Sequence, residues 1–264
     1  MPLKRIMRPK HPTPLDSFDT SGGPLPGPLE DSSSKVPPDA IVVRTLADFS
    51  KVDKSQVYPR GAAKSIDLIT QTAPGTFRFL LRHRGKWYDG DRTLEWNYKG
   101  HDKSRAEAAP AGPKVKTGET WDFSTTVRLA PDFVPSEGYC NIAQPVFSVG
   151  FFTLTEQVGD TTTGEYFFNP DPKKIGQGAK LARSVTFKRG QWTTFVWRIH
   201  FDKKGSIKMS MNGDAFVGLS GVDTSRATLP VYKMGLYGTG VKDIHGKKLG
   251  DQVVEHKNVY MRRI

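Results

Sequence analysis

From about residue 41 onward, apolar and polar residues alternate with a period of two. The clearest run sets Trp121, Phe123, Thr125, Val127 and Leu129 on one side, with Asp122, Ser124, Thr126 and Arg128 on the other. One apolar face at that period marks a half-buried antiparallel strand. Residues 192–201 alternate again, with Trp197, Ile199 and Phe201 facing one way, and 206–211 place Ile207, Met209 and Met211 together. Asn212-Gly213 then supplies the turn of a tight hairpin into Ala215-Phe216-Val217. Residues 77–82 and 94–98 read as strands, 141–154 as one long apolar strand bent at Pro145 or Gly150, and 231–237 and 253–261 as the last two. A helical period is kept nowhere for more than about ten residues. Many short strands separated by turn signals predict a sandwich, a jelly roll or a barrel. The glycine- and lysine-rich stretch 169–182 reads as a surface loop.

The first forty residues break the pattern. They hold nine of the nineteen prolines, and Ser21-Gly22-Gly23-Pro24-Leu25-Pro26-Gly27-Pro28 can form neither helix nor strand. Proline lacks the amide donor and glycine loses the most entropy on ordering. The chain therefore divides into an extended arm, 1–40, and one all-β domain, 41–264. Leu15, Phe18, Leu25 and Leu29 are isolated apolar pegs, and Lys4, Arg5, Arg8 and Lys10 suit an acidic docking surface. So much proline-rich chain buries little against one small body. The arm is therefore expected to engage other subunits of a multi-copy or homo-oligomeric assembly; wrapping its own domain is the alternative.

Composition narrows the partners. The 264 residues are 36% hydrophobic and 25% charged, with a formal net charge of +12. The excess of Lys and Arg favours an anionic partner. No apolar run reaches the length of a membrane span, so membrane insertion is not expected. The basic start, Met1 to Pro9, is followed by no apolar segment. That is not a secretory signal, so the expected location is the cytoplasm or an extracellular assembly reached without one. Cys140 is the single cysteine, which excludes an internal disulfide and a cysteine-based zinc site; a small buried residue is the simpler reading than a reactive thiol. Phosphate-cradling loops, His-Glu-x-x-His, serine elbows and EF-hand loops are absent. Trp87, Tyr88, Trp96 and Tyr98 with nearby basic residues could stack on sugars or on bases. Nucleic acid is disfavoured because no nucleic-acid fold signature accompanies them.

Several ordered fragments between residues 60 and 264 carry more. They are Arg105-Ala106-Glu107, Trp121-Asp122-Phe123-Ser124, Ile142-Ala143-Gln144, Gly190-Gln191-Trp192, and Tyr232-Lys233-Met234-Gly235-Leu236-Tyr237. In this order and spacing they resemble the jelly-roll polysaccharide lyases, a concanavalin-like group that includes alginate, glucuronan and heparin lyases. The resemblance implies an all-β concanavalin-like jelly-roll sandwich behind the arm, with an acidic polysaccharide as partner. It implies β-elimination chemistry: donors offset the uronate charge and stabilise an enolate-like intermediate, a His or Tyr removes the proton, and a Tyr protonates the leaving oxygen. Neither cofactor nor metal is called for.

Position by position, the resemblance makes Arg105 a binder of the sugar carboxylate, or a brace of the site through Glu107. Gln144 would neutralise that carboxylate, Lys233 and Tyr232 would lie on the substrate track, and Tyr237 would be the acid or acid/base. Arg105, Gln144, Lys233 and Tyr237 should share one concave sheet. The family often has His two residues after the Gln, where this chain has Val146, and a second Arg where it has Ala109. His83 would be the substitute base, supplied from another strand. Both departures remove polar groups, so whether the chain is an enzyme stays open. The leading expectation is a glycan-contacting, weakly catalytic or non-catalytic module of a virion-type structural protein: a bacteriophage decoration, tail or fibre protein. The alternative is an active polysaccharide lyase; a purely structural jelly roll is the third.

Overall fold

In the computed structural model the described residues are 36–49, 69–81, 103–112, 114–138, 140–145, 150–170, 178–225, 232–239, 242–247 and 249–264. The chain divides into two compact units, Met1–Lys35 and Val36–Ile264. The first lies outside the described residues. Among its described residues the second holds a short 3-10 turn, Leu46–Asp48, and fourteen strands. These are β1 (Ile41–Val42), β2 (Ile69–Ala73), β3 (Thr76–Leu81), β4 (Lys103–Ala108), β5 (Thr120–Leu129), β6 (Cys140–Pro145) and β7 (Gly150–Val158). They continue with β8 (Thr161–Phe168), β9 (Lys180–Lys188), β10 (Thr193–His200), β11 (Gly205–Met211), β12 (Val217–Val222), β13 (Tyr232–Thr239) and β14 (Gln252–Arg263).

The strands form two antiparallel sheets. The larger runs β12-β11-β10-β5-β14-β3-β2, with β1 added on β14; the smaller runs β4-β13-β6-β7-β8-β9. Their inner faces share one core. Phe77 and Phe79 of β3, Phe123 and Val127 of β5, and Phe195, Trp197 and Ile199 of β10 come from the larger sheet. Ala106, Ile142, Phe152, Tyr166, Met234 and Leu236 come from the smaller one. Aromatic rings lock the layers: Phe152 lies 4.9 Å from Phe195, and Tyr232 lies 5.8 Å from Phe123 and 6.1 Å from Trp197. The fold class expected from the sequence, an all-β jelly-roll sandwich, is the one observed.

The β10–β11–β12 region follows the alternation closely. Trp197 pairs with Met209 and Ile199 with Ile207. Asn212 and Gly213 take the left-handed φ values, 52° and 83°, that their turn requires, and β12 starts at Val217. The single long strand expected over 141–154 is instead two antiparallel strands, β6 and β7. Pro145 ends the first, because proline has no amide to continue the ladder. Cys140 is buried in β6, and burial pushes its thiol up to about 11, which keeps it protonated and unreactive.

Arg183 on edge strand β9 ties the smaller sheet to the larger. Its guanidinium donates to the carbonyls of Met209 (2.5 Å) and Ala215 (3.2 Å) and pairs with the Asp214 carboxylate. The Arg183 hydrogen bond and charge hold the Asp214 carboxyl below its ordinary value. The strand expected over 94–98, His83, Val146 and the aromatics Trp87, Tyr88 and Trp96 lie outside the described residues.

Candidate functional site

The candidate residues are positioned by β4, β13 and β6, one edge of the smaller sheet and the two strands beside it. Alternation along β13 sends Tyr232, Met234 and Leu236 into the core, and Lys233 and Tyr237 to the outer face. Registers carry that face across the sheet. Lys233 pairs with Gln144, Tyr237 with Asn141 of β6 and with Arg105 of β4, and Gly235 with Glu107. The Gln144 amide nitrogen donates to the Glu107 carboxylate at 2.5 Å. Lys233 and Glu107 are only 5% and 7% exposed, so this is a buried polar floor. Charges at such a depth must be held by partners.

Tyr232 does not join them. It is 1% exposed and packed between Phe123 and Trp197, so the substrate-track role expected for it gives way to a core role. The cause is the period of two: no strand can present both Tyr232 and Lys233 to one face. His83 and Val146 lie outside the described residues, and Ala109 is buried.

The register shifts on both flanks of Ile142: between Met234 and Tyr237 on one side, and between Asn141 and Ala143 on the other. Ile142 itself is in the core. The irregularity lets Ile142 and Ala143 both face inward and returns Asn141 to the outer face, opposite Tyr237 and Thr153. Asn141 is 7% exposed, and its Oδ1 has no hydrogen-bond partner among the described residues. Sequence reading missed it, because counting in twos from Gln144 puts Asn141 on the wrong face. Only the bulge moves it.

The same face continues over β7, β8 and β9. Thr153 pairs with Glu165, and Glu165 with Ser184; Phe151 pairs with Phe167, and Phe167 with Leu181. Tyr237, Asn141, Thr153, Glu165 and Ser184 thus form one polar row across five strands. Burial, and then the charge of Glu156, raise the Glu165 carboxyl above its ordinary value. Much positive charge lies elsewhere. On the outer face of the larger sheet, Trp192 lies against Arg128 (4.6 Å) and Lys257 (4.5 Å), and Arg128 pairs with Glu255 at 2.5 Å.

Among the described residues no group of three or more His, Cys, Asp and Glu side chains could hold a metal ion, and no helix is long and apolar enough to cross a membrane.

No protein-family model matches the chain, and no curated protein matches it in sequence. Among solved structures it is similar to an endo-β-1,4-glucuronan lyase from the fungus Trichoderma reesei, at 17% identity and a TM-score of 0.45 over 74% of this chain and 83% of that one. An alginate lyase is similar at 13% identity and a TM-score of 0.47, over 83% and 88% of the two chains. An alginate lyase from Pseudomonas aeruginosa is similar at 18% identity and a TM-score of 0.41, over 75% and 86%. Likeness at these values transfers neither activity nor site residues.

Proposed function

We propose that the outer face of the smaller sheet binds an acidic polysaccharide and turns it over slowly or not at all. The supporting observation is that Lys233, Gln144, Glu107, Asn141 and Tyr237 occupy adjacent register positions on one face. Lys233 supplies the positive charge for a uronate. The Asn141 carboxamide offers a donor to the carboxylate and an unsatisfied acceptor to a sugar hydroxyl. Gln144 has one amide hydrogen committed to Glu107, so its part is to orient that carboxylate and leave one donor for the ligand.

Elimination from such a ligand requires the carbon-5 proton to leave to a base. The carbon–oxygen bond at position 4 then breaks, a double bond forms between carbons 4 and 5, and a proton reaches the departing oxygen. In this reading Tyr237 supplies that last proton. His83, the base expected from the sequence, lies outside the described residues, and slow turnover is proposed because Val146 and Ala109 stand where polar groups are expected.

The reading is tested by affinity electrophoresis through gels containing glucuronan, alginate or a heparin-like polymer, together with the ultraviolet absorbance of unsaturated products. Retardation by at least one polymer is expected. Any absorbance gain should fall about a hundredfold in Tyr237→Phe, the scale of a lost general acid or base, with retardation preserved. A chain that is neither retarded nor active on any of them contradicts the reading.

A virion-type structural role, with residues 1–40 docking onto neighbouring subunits, belongs to the same proposal and rests on the proline-rich composition of that segment. A chain starting near Ala40 should melt cooperatively near the full-length temperature yet fail to join the parent particle on mixing. Loss of folding on truncation would instead assign the arm to the body.

A further inference from the structure

The outer face of the smaller sheet is not uniform along the polar row. At the β4, β13 and β6 end it presents Lys233, the carboxamides of Gln144 and Asn141, and one carboxylate, Glu107, that already accepts from Gln144. At the β7 and β8 end it presents the opposite chemistry. Glu165 lies on β8, and Glu156 of β7 pairs with Thr163, two residues from Glu165 on the same face. Neither carboxylate has an ion pair among the described residues. Beside them Phe151 and Phe167 stack at 5.4 Å, and Leu181, the register partner of Phe167, is 47% exposed.

The two ends ask for different sugars. A lysine and two carboxamides suit a carboxylate. Two free carboxylates repel one, and instead accept hydrogen bonds from hydroxyl or amine groups. A stacked aromatic pair with an exposed leucine suits the apolar C–H face of a sugar ring. At the first end the buried Oδ1 of Asn141 has no partner among the described residues, an acceptor that a bound hydroxyl would satisfy; a buried polar atom left without a partner is costly. The distance fixes the order. Tyr237 and Glu165 are three strand spacings apart, roughly 14 Å at the usual sheet spacing. One strand spacing is close to the length of one sugar unit in an extended polymer, so the two ends are three units apart. In a strictly alternating polymer, units separated by an odd number of steps differ in kind.

We infer that this face reads an alternating polymer. A uronate lies over Lys233, Asn141 and Tyr237, and the sugar over Glu165, Phe151 and Phe167 carries no carboxylate and presents hydroxyl or amine donors. The inference rests on the proposed reading of the face as a polysaccharide site and narrows its substrate class away from homopolymeric uronates.

The experiment measures dissociation constants for three polymers of matched length. These are hyaluronan, which alternates glucuronate with an N-acetylated amino sugar; its de-N-acetylated form, which carries free amines; and polyglucuronate. The full chain should bind at least one alternating polymer about tenfold more tightly than polyglucuronate, a discrimination of the size one repelled charge provides. Glu165→Gln should bring that ratio to within about threefold by tightening polyglucuronate binding, and Glu156→Gln should move it the same way by less. A preference for the de-N-acetylated form assigns an amine donor at Glu165, and equal binding of the two alternating polymers assigns hydroxyls. Polyglucuronate bound as tightly as the alternating polymers, with Glu165→Gln changing nothing, overturns the inference and leaves the polysaccharide site standing. Binding of none of the three overturns the inference, and the polysaccharide site falls with it only if alginate and the heparin-like polymer are not bound either.

Discussion

Gly235→Ala should cost roughly 4 kcal/mol of stability, or abolish cooperative folding, and should remove the proposed glycan binding with it. Gly235 sits in β13 between β4 and β6 at φ +119°, a conformation L residues rarely adopt. A Cβ there would meet the Ala106 carbonyl oxygen at 2.1 Å, Phe79 Cδ1 at 2.7 Å and the Glu107 Cα at 2.9 Å. The first and last of these are backbone atoms of β4, so no rotamer change relieves them. Strained backbone contributes about 1–3 kcal/mol and overpacking a similar amount. The only relief is to move β4 off β13, which displaces Arg105 and Glu107 from Tyr237 and Gly235. Urea denaturation followed by tryptophan fluorescence measures the loss. A midpoint within 1 kcal/mol of the parent would show that β4 yields easily, and the steric account would then be wrong.

The motif around Gly235 also shows what was legible beforehand. Lys233, Gly235 and Tyr237 read as a strand from spacing alone, and the register confirms that strand. Why glycine stands at the centre could not be read from the chain, because the atoms that exclude a side chain belong to β4, far away in sequence. Burial of the apolar faces of β5, β10 and β11 was legible for the opposite reason: a period of two is a local property. The polar face of β5 was not. Asp122, Ser124 and Thr126 are also buried, and one cause is visible in the clamp of Arg198 on Asp122 through two 2.8 Å hydrogen bonds, a cross-strand pairing that no single strand encodes. Glu165 and Thr153 were missed because β8 alternates threonine, glycine and aromatic residues, a weak apolar signal whose faces are set by pairing with β7. Asn141 depended on a bulge, and Tyr232 was overread because adjacency in a motif was taken for adjacency in space.

Acidification from about pH 6.5 to about 4.5 should destabilise the domain by roughly 3 kcal/mol, and His256 is the source. His256 lies on β14 opposite Phe77 and Val127, fully buried, with Phe79 edge-on at 5.3 Å. Its Nδ1 is 3.0 Å from the Thr125 hydroxyl, and its Nε2 has no partner. Protonation would add a charge and a second N–H with nothing to receive them, and burial depresses the folded pKa to about 3 from the ordinary 6.5. The unfolded chain therefore takes up a proton below pH 6.5 while the folded domain refuses it. Stability is fully present above that value and is lost progressively as pH falls toward the folded pKa. At about 1.4 kcal/mol per pH unit, two units give the stated loss, and the full interval gives about 5 kcal/mol. Carboxylates held below their ordinary values, such as Asp214 beside Arg183, lose their share only near and below about pH 4, so the upper window isolates the histidine. Glu165, whose carboxyl is raised, works in the opposite direction, and comparison with a variant removes its share. His256→Leu keeps a similar volume and carries no titratable group. As pH falls from 7 to about 4.5 the parent should lose stability relative to the variant by the stated amount, read as a change in the difference between their urea midpoints. Parallel pH profiles for parent and variant would show that His256 is not the group that titrates.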